Sequence, residues 1–179
     1  MKKEFIRLSG MLCLITLVAA LLLAGVNSLT EERIAQASEK ASQEAMQAII
    51  PEATEFEPLS DSVYEAKKAG KTIGFAVSVA PRGFGGAISM MVGISADGTV
   101  YGIEILENSE TPGLGAKAAG EDFKNQFKGK DADLSVVKTP TNSSAEIQAI
   151  TGATITSRAV AEGVKTASQK VAEIKGGNK

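Results

Sequence analysis

The chain has 179 residues, only 4% of them aromatic and none of them Trp, and a formal net charge of −2. It therefore offers neither a stacking platform nor a basic face, and a general nucleic-acid binder is excluded. With no His and with Cys13 as the single cysteine, it cannot by itself build a disulfide framework, a zinc site, an iron–sulfur cluster or a Ser-His or Cys-His nucleophile, so any redox chemistry needs a cofactor held by other side chains.

Leu8 to Val26 reads LSGMLCLITLVAALLLAGV and carries no charge. That is about the length a bilayer-spanning helix requires. Lys2, Lys3 and Arg7 precede it and Glu31 and Glu32 follow. The positive-inside rule then predicts a single pass through the cell (inner) membrane, with a cytoplasmic N-terminus and the remainder outside. A cleaved signal peptide is the rival reading, but the run exceeds the roughly 7–15 apolar residues typical of one. Leu22-Leu23-Ala24-Gly25 has the look of a lipoprotein box, yet Val26 stands where the lipid-modified Cys would be. Residues 1–29 are thus expected to form the anchor.

A second helix is predicted over Thr30 to Ile50, with Thr30 as its cap, Glu31 and Glu32 at its positive end and Pro51 as its stop. Its Ala-rich stripe (Ile34, Ala37, Ala41, Ala45, Ala48, Ile49) suits a stalk. Residues 51–61, PEATEFEPLSD, read as acidic loop. Stalk and linker together take 30–61, and a folded domain takes 62–179.

In that domain Ser62–Lys67 and Thr72–Ala80 flank a hairpin turn, and Ile88–Ile94 and Thr99–Leu106 flank a second one at Ala96-Asp97-Gly98. Between the hairpins lies the Gly-rich stretch 81–86. A Pro/Gly loop follows at Glu110–Gly115, a short helix at Glu121–Phe127 and an edge strand at Leu134–Val137. The last helix starts near Thr154 and runs to about Ile174, with Val160, Val164, Ala167, Val171 and Ile174 on one face. The expected class is α+β: a single N-terminal transmembrane helix, then an antiparallel sheet packed by helices.

Three loops are candidates for chemistry: Gly83-Phe84-Gly85-Gly86, Glu110-Thr111-Pro112-Gly113-Leu114-Gly115, and Thr151-Gly152-Ala153-Thr154-Ile155-Thr156-Ser157. None is a phosphate loop ending in Gly-Lys-Ser/Thr, and none opens a βαβ unit as a dinucleotide fingerprint does. In the third, small residues let a bulky group approach the backbone, and hydroxyls stand where a helix starts. Free N–H groups and the positive dipole end make that place an anion site. Read from the residues alone, a capped helix start is the plainer reading.

The run ITGATITSRAV, Ile150 to Val160, resembles the flavinylation motif of FMN-binding domains in the RnfG family of Rnf-type complexes and the NqrC family of Na+-translocating NADH:quinone reductases. SETPGLGAKA (Ser109 to Ala118), Gly83-Phe84-Gly85-Gly86 and Asp97-Gly98-Thr99-Val100 resemble further signatures of that family, in the same order. The resemblance implies FMN joined to Thr154 by a phosphoester, with Thr151, Gly152 and Ala153 shaping the approach and Thr156 and Ser157 donating to the phosphate. It implies Glu110, Thr111, Pro112, Gly113, Leu114 and Gly115 as a wall beside the isoalloxazine ring; Arg158 and Lys117 are weaker candidates. It implies no metal ligand and no catalytic residue in this chain. The expected role is an electron relay in a ferredoxin:NAD oxidoreductase that moves Na+ or H+, with other membrane subunits as partners and a separate flavin transferase for maturation. The chain departs from the family pattern in two ways: Gln148 stands where an Asp is usual, and Asn108 and Ser109 stand where a His is frequent. The rival readings are the NqrC-type component of the quinone reductase and a membrane-tethered binding or assembly module without cofactor.

Overall fold

The computed structural model describes residues 2–139, 143 and 145–177. The chain divides into two compact units, Met1–Ala41 and Ser42–Lys179, so the folded domain begins well before the boundary expected at residue 62.

Helix α1 runs unbroken over Lys2–Ile49. Its segment from Ile6 is long and apolar enough, by length and composition, to cross a membrane. The separate helix expected from Thr30 is corrected: Thr30 does not cap anything. Its hydroxyl donates to the Val26 carbonyl at 2.9 Å, as the Thr16 hydroxyl does to Leu12 at 3.0 Å. A threonine that satisfies its hydroxyl on the preceding turn need not interrupt a helix. The helix stops at Ile49, two residues before Pro51.

Five strands form an antiparallel meander: β1 (Glu55–Ser60), β2 (Val63–Lys68), β3 (Lys71–Val79), β4 (Ser89–Ser95) and β5 (Val100–Glu107), in that spatial order. β1 corrects the loop expected over 51–61. It is an edge strand, where Pro58 costs no ladder bond on the free side, and Phe56 pairs opposite Ala66.

One face of the sheet carries Val77, Met90, Val92 and Ile94, packed under the apolar stripe Val160, Val164, Ala167 and Val171 of helix α3 (Thr154–Gly177). Helix α2 (Glu121–Lys124) and the 3-10 turn after it add Phe123 and Phe127 edge to face, centroids 5.4 Å apart. The other face is built from small residues, Ala66, Ala76 and Gly93, with Met91, and is covered by Ala45, Met46, Ile49 and Ile50. A Cβ on Gly93 would lie 3.3 Å from Ile50 Cγ1, so close approach there depends on small side chains.

The strand expected at Leu134–Val137 is β6 (Ser135–Val137). It pairs in parallel with β7 (Glu146–Gln148), which was not expected. Three residues with a single buried side chain, Ile147, are too few for an alternating pattern to register.

Candidate functional site

The three loops singled out in the sequence converge on one carboxylate. Glu110 is 6% exposed. Its Oε1 accepts the Gly85 N–H at 2.9 Å and its Oε2 accepts the Thr156 hydroxyl at 2.6 Å. The glycines around it are small for a steric reason. A Cβ on Gly83 would overlap Oε1, one on Gly115 would overlap Oε2 and the Thr156 hydroxyl, and one on Gly85 would overlap the Ser109 carbonyl. The Gly-rich spacing is thus the packing requirement of a buried side chain. The first loop closes on itself through Gly83 N–H to Gly86 O at 2.7 Å, and the second through Leu114 N–H to Thr111 O at 3.1 Å.

The third loop is a turn leading into α3. Gly152 has φ +77°, the left-handed conformation that favours glycine, and a Cβ there would press on Leu114 Cδ2 at 3.0 Å. The Ala153 carbonyl accepts the Ser157 N–H at 3.0 Å, so Ala153 occupies the N-cap position of the helix. Alanine has no side-chain acceptor. The N–H groups of the first turn are therefore left for another partner.

A cavity of about 390 Å³ lies between these loops, within the range of small-molecule sites. Of the residues expected at the site, Thr154, Gly152, Ala153, Thr156, Glu110, Thr111, Leu114 and Gly115 line it. Thr151, Pro112, Gly113 and Ser157 do not. Two residues absent from that expectation do line it, Phe84 and Ile155. Phe84 was legible: an aromatic side chain between glycines has few neighbours to bury it. Ile155 carried no signal of its own beyond its place after Thr154.

The Thr154 side chain is half-buried, and its hydroxyl has no hydrogen-bond partner among the described residues. Around it stand Phe84, Leu114 and Ile155, exposed by 70%, 43% and 56%. In the second unit, the only other large hydrophobic side chain so exposed among the described residues is Leu59.

Two assigned donors are spent elsewhere. Thr156 gives its hydroxyl to Glu110. Ser157 is fully buried; its hydroxyl accepts the Ile150 N–H and donates to the Ala153 carbonyl, both at 3.0 Å. Both therefore set the shape of the turn and are not positioned as free phosphate donors. Of the weaker candidates, Lys117 does not line the cavity, and Arg158 lines a separate one of about 240 Å³ with Asp133 and Lys165.

Comparison with known proteins places these features in a family. A model described as the FMN-binding domain matches residues 83–169, and one described as the RnfG N-terminal region matches residues 1–49. The chain is 39% identical over 163 residues to the G subunit of the proton-translocating ferredoxin:NAD(+) oxidoreductase complex of Clostridium ljungdahlii, covering 89% of this chain and 88% of that one. It is 40% identical over 190 residues to the G subunit of the Na(+)-translocating ferredoxin:NAD(+) oxidoreductase complex of Acetobacterium woodii, covering 93% and 91%. Among solved structures it is similar to the C subunit of the Na(+)-translocating NADH-quinone reductase from Parabacteroides distasonis, with TM-score 0.51 and 29% identity over 59% of this chain and 57% of that one. NqrC of Shewanella oneidensis shares the fold, with TM-score 0.52 and 21% identity over 64% and 65%.

Proposed function

We propose, since the chain belongs to the RnfG family of ion-translocating ferredoxin:NAD(+) oxidoreductase complexes, that it is an electron-relay subunit of such a complex and holds FMN through a phosphoester at Thr154 Oγ1. The observation that carries the reading is the setting of Thr154. A hydroxyl free of other partners sits at the mouth of a cavity whose rim is an exposed apolar trio, Phe84, Leu114 and Ile155. A planar aromatic ring is what such a rim suits.

The residues fit the group in charge as well as shape. A phosphate on Thr154 meets the uncapped first turn of α3, where N–H groups and the dipole favour an anion. Leu114 and Phe84 give the ring apolar contact, and Gly152 keeps the approach open. Isoalloxazine accepts electrons singly or in pairs, so its holder can connect carriers of either kind. The covalent bond keeps the cofactor on the protein without His or Cys. It would be made by a separate flavin transferase, with FAD and a divalent metal bound there: the Thr154 hydroxyl would give up its proton, its oxygen would bond to the FMN-side phosphorus, and the pyrophosphate would break with AMP as the leaving group.

The chain associates with the membrane through α1, in keeping with its length and apolarity. The charges flanking the apolar run favour a cytoplasmic N-terminus and a flavin domain on the other side. Its partners are the other membrane subunits of the complex. The relatives differ in coupling ion, proton in one and Na+ in another, and the ion is a property of the assembly. The RnfG-type reading is preferred to the quinone-reductase one because the two RnfG-type relatives are 39% and 40% identical over 88% and 91% of their length and the RnfG N-terminal region matches residues 1–49.

The test is co-expression with a flavin transferase, followed by denaturing electrophoresis and in-gel flavin fluorescence. A fluorescent band is expected from the wild type, with an intact mass raised by the FMN phosphoester, and none from Thr154→Val. A band that persists in Thr154→Val moves the attachment elsewhere. No band from the wild type leaves the cofactor-free tethered module.

A further inference from the structure

We propose that Glu110 is the positioning residue of this site. Its buried carboxylate clamps the Gly83–Gly86 loop and the start of α3 in register with Thr154, and its charge beneath the cavity holds the flavin's reduction potential down. The second half rests on the flavin reading above; the first does not.

Three observations carry the clamp. Each carboxylate oxygen accepts one bond from a different loop, the Gly85 N–H on one side and the Thr156 hydroxyl on the other. These partners lie 25 and 46 residues away in sequence, so a single side chain ties three distant segments. Three glycines then close on it so tightly that a methyl group on Gly83 or Gly115 would overlap its oxygens and one on Gly85 would strike the neighbouring Ser109 carbonyl. A carboxylate suits two inward-facing donors because it is acceptor-only at both oxygens; an amide offers one acceptor and one donor.

The electrostatic half follows from what is missing around Glu110. No ion pair joins it to a Lys or Arg among the described residues. A buried carboxylate without a counter-cation is costly for a fold to keep. It lines the same cavity as Thr154. Negative charge in a partly dry cavity disfavours adding electrons to a ring bound there, and the low dielectric strengthens the effect.

The experiment uses the full-length protein in detergent with a flavin transferase. Glu110→Gln keeps the reach and removes the charge. Its flavin loading at a fixed time is expected to fall below that of the wild type, because the amide keeps an acceptor for only one of the two donors, and the midpoint potential of the loaded fraction to shift to a more positive value. Glu110→Asp keeps the charge and falls a methylene short of its two donors. Its flavin loading at a fixed time is expected to drop about tenfold. A Gln variant whose loaded fraction keeps the wild-type potential overturns the electrostatic half, and a Gln or Asp variant that loads normally overturns the clamp. Amide exchange at Gly85 in the unloaded wild type needs no substitution and no flavin. Exchange slowed by the bond to Glu110 is expected, and exchange at the rate of an open glycine loop overturns the clamp. A wild type that takes no flavin sinks the functional reading and the electrostatic half together, while the Gly85 amide still decides the clamp.

Discussion

A methyl group at Gly115 would land on the Glu110 carboxylate and, 2.7 Å away, on the Thr156 hydroxyl. Gly115→Ala is therefore expected to cost about 2–3 kcal/mol, because neither neighbour can retreat without breaking the bond between them. Thermal melting checks it, and an unchanged midpoint would mean that the loop relaxes freely. Gln148 makes a different case. It is exposed on β7, and its backbone is bonded on both sides by the Gln126 amide, N–H to Oε1 at 2.7 Å and carbonyl to Nε2 at 3.4 Å. Its side chain is thus on the surface, where a transferase can read it. Gln148→Asp, which restores the residue usual in the flavinylation motif, is expected to speed flavin transfer in a fluorescence time course and to leave melting unchanged. Equal rates would show that the enzyme does not read this position. At this scale the sequence named most of the cavity lining, Thr154 among it, because these residues fall in short contiguous runs. It placed Thr156 and Ser157 as phosphate donors, whereas the structure commits both hydroxyls to protein partners, because a hydroxyl in a run does not disclose which way it points.

Helix α2 is held by a buried lysine. Lys124 reaches Glu104 on β5 at 2.8 Å and Glu121 at 2.8 Å. Burial works to lower its pKa, but the hydrogen bonds and charges of Glu104 and Glu121 outweigh it, and the net shift is upward from 10.5. A raised lysine contributes stability that is complete below its unfolded value and is lost as pH climbs through the folded one. The wild-type domain is therefore expected to lose part of its stability above about pH 10.5. Lys124→Met should be less stable at neutral pH by about 2 kcal/mol, since it strands Glu104, and should lose less than the wild type at alkaline pH. Parallel melting curves across that range would refute the assignment. Elements whose period is sustained over a long run were legible: the strands of both hairpins and the apolar stripe of α3 stand within a residue or two of where the pattern places them. β1 and β7 were not, because one carries proline at an edge and the other has one buried side chain. Each becomes a strand through its partner.

For the whole molecule, the division at Ala41 and Ser42 has a consequence. Both hydrophobic clusters lie in residues 45–171. A fragment starting at Ser42 is expected to fold without detergent and melt cooperatively, and to accept flavin from the transferase. A fragment starting at Ser62 should not, since it lacks Ile49, Ile50 and β1, which cover and flank the small-residue face. If both fragments melt alike, the second cluster contributes nothing. In intact cells, protease added outside should cleave beyond Val26, and protection would reverse the proposed orientation. The sequence by itself determined the membrane-competent helix, the antiparallel sheet, the last helix and the three loops, since each rests on local composition or period within a short stretch of chain. Only the tertiary structure decided that the loops meet, that Glu110 joins them, and that Thr156 belongs to Glu110 while Thr154 stands free. The reason is distance along the chain: bonds that span 25 and 46 residues leave no trace in any local pattern, and a hydroxyl is released or committed only when its neighbours in space are known.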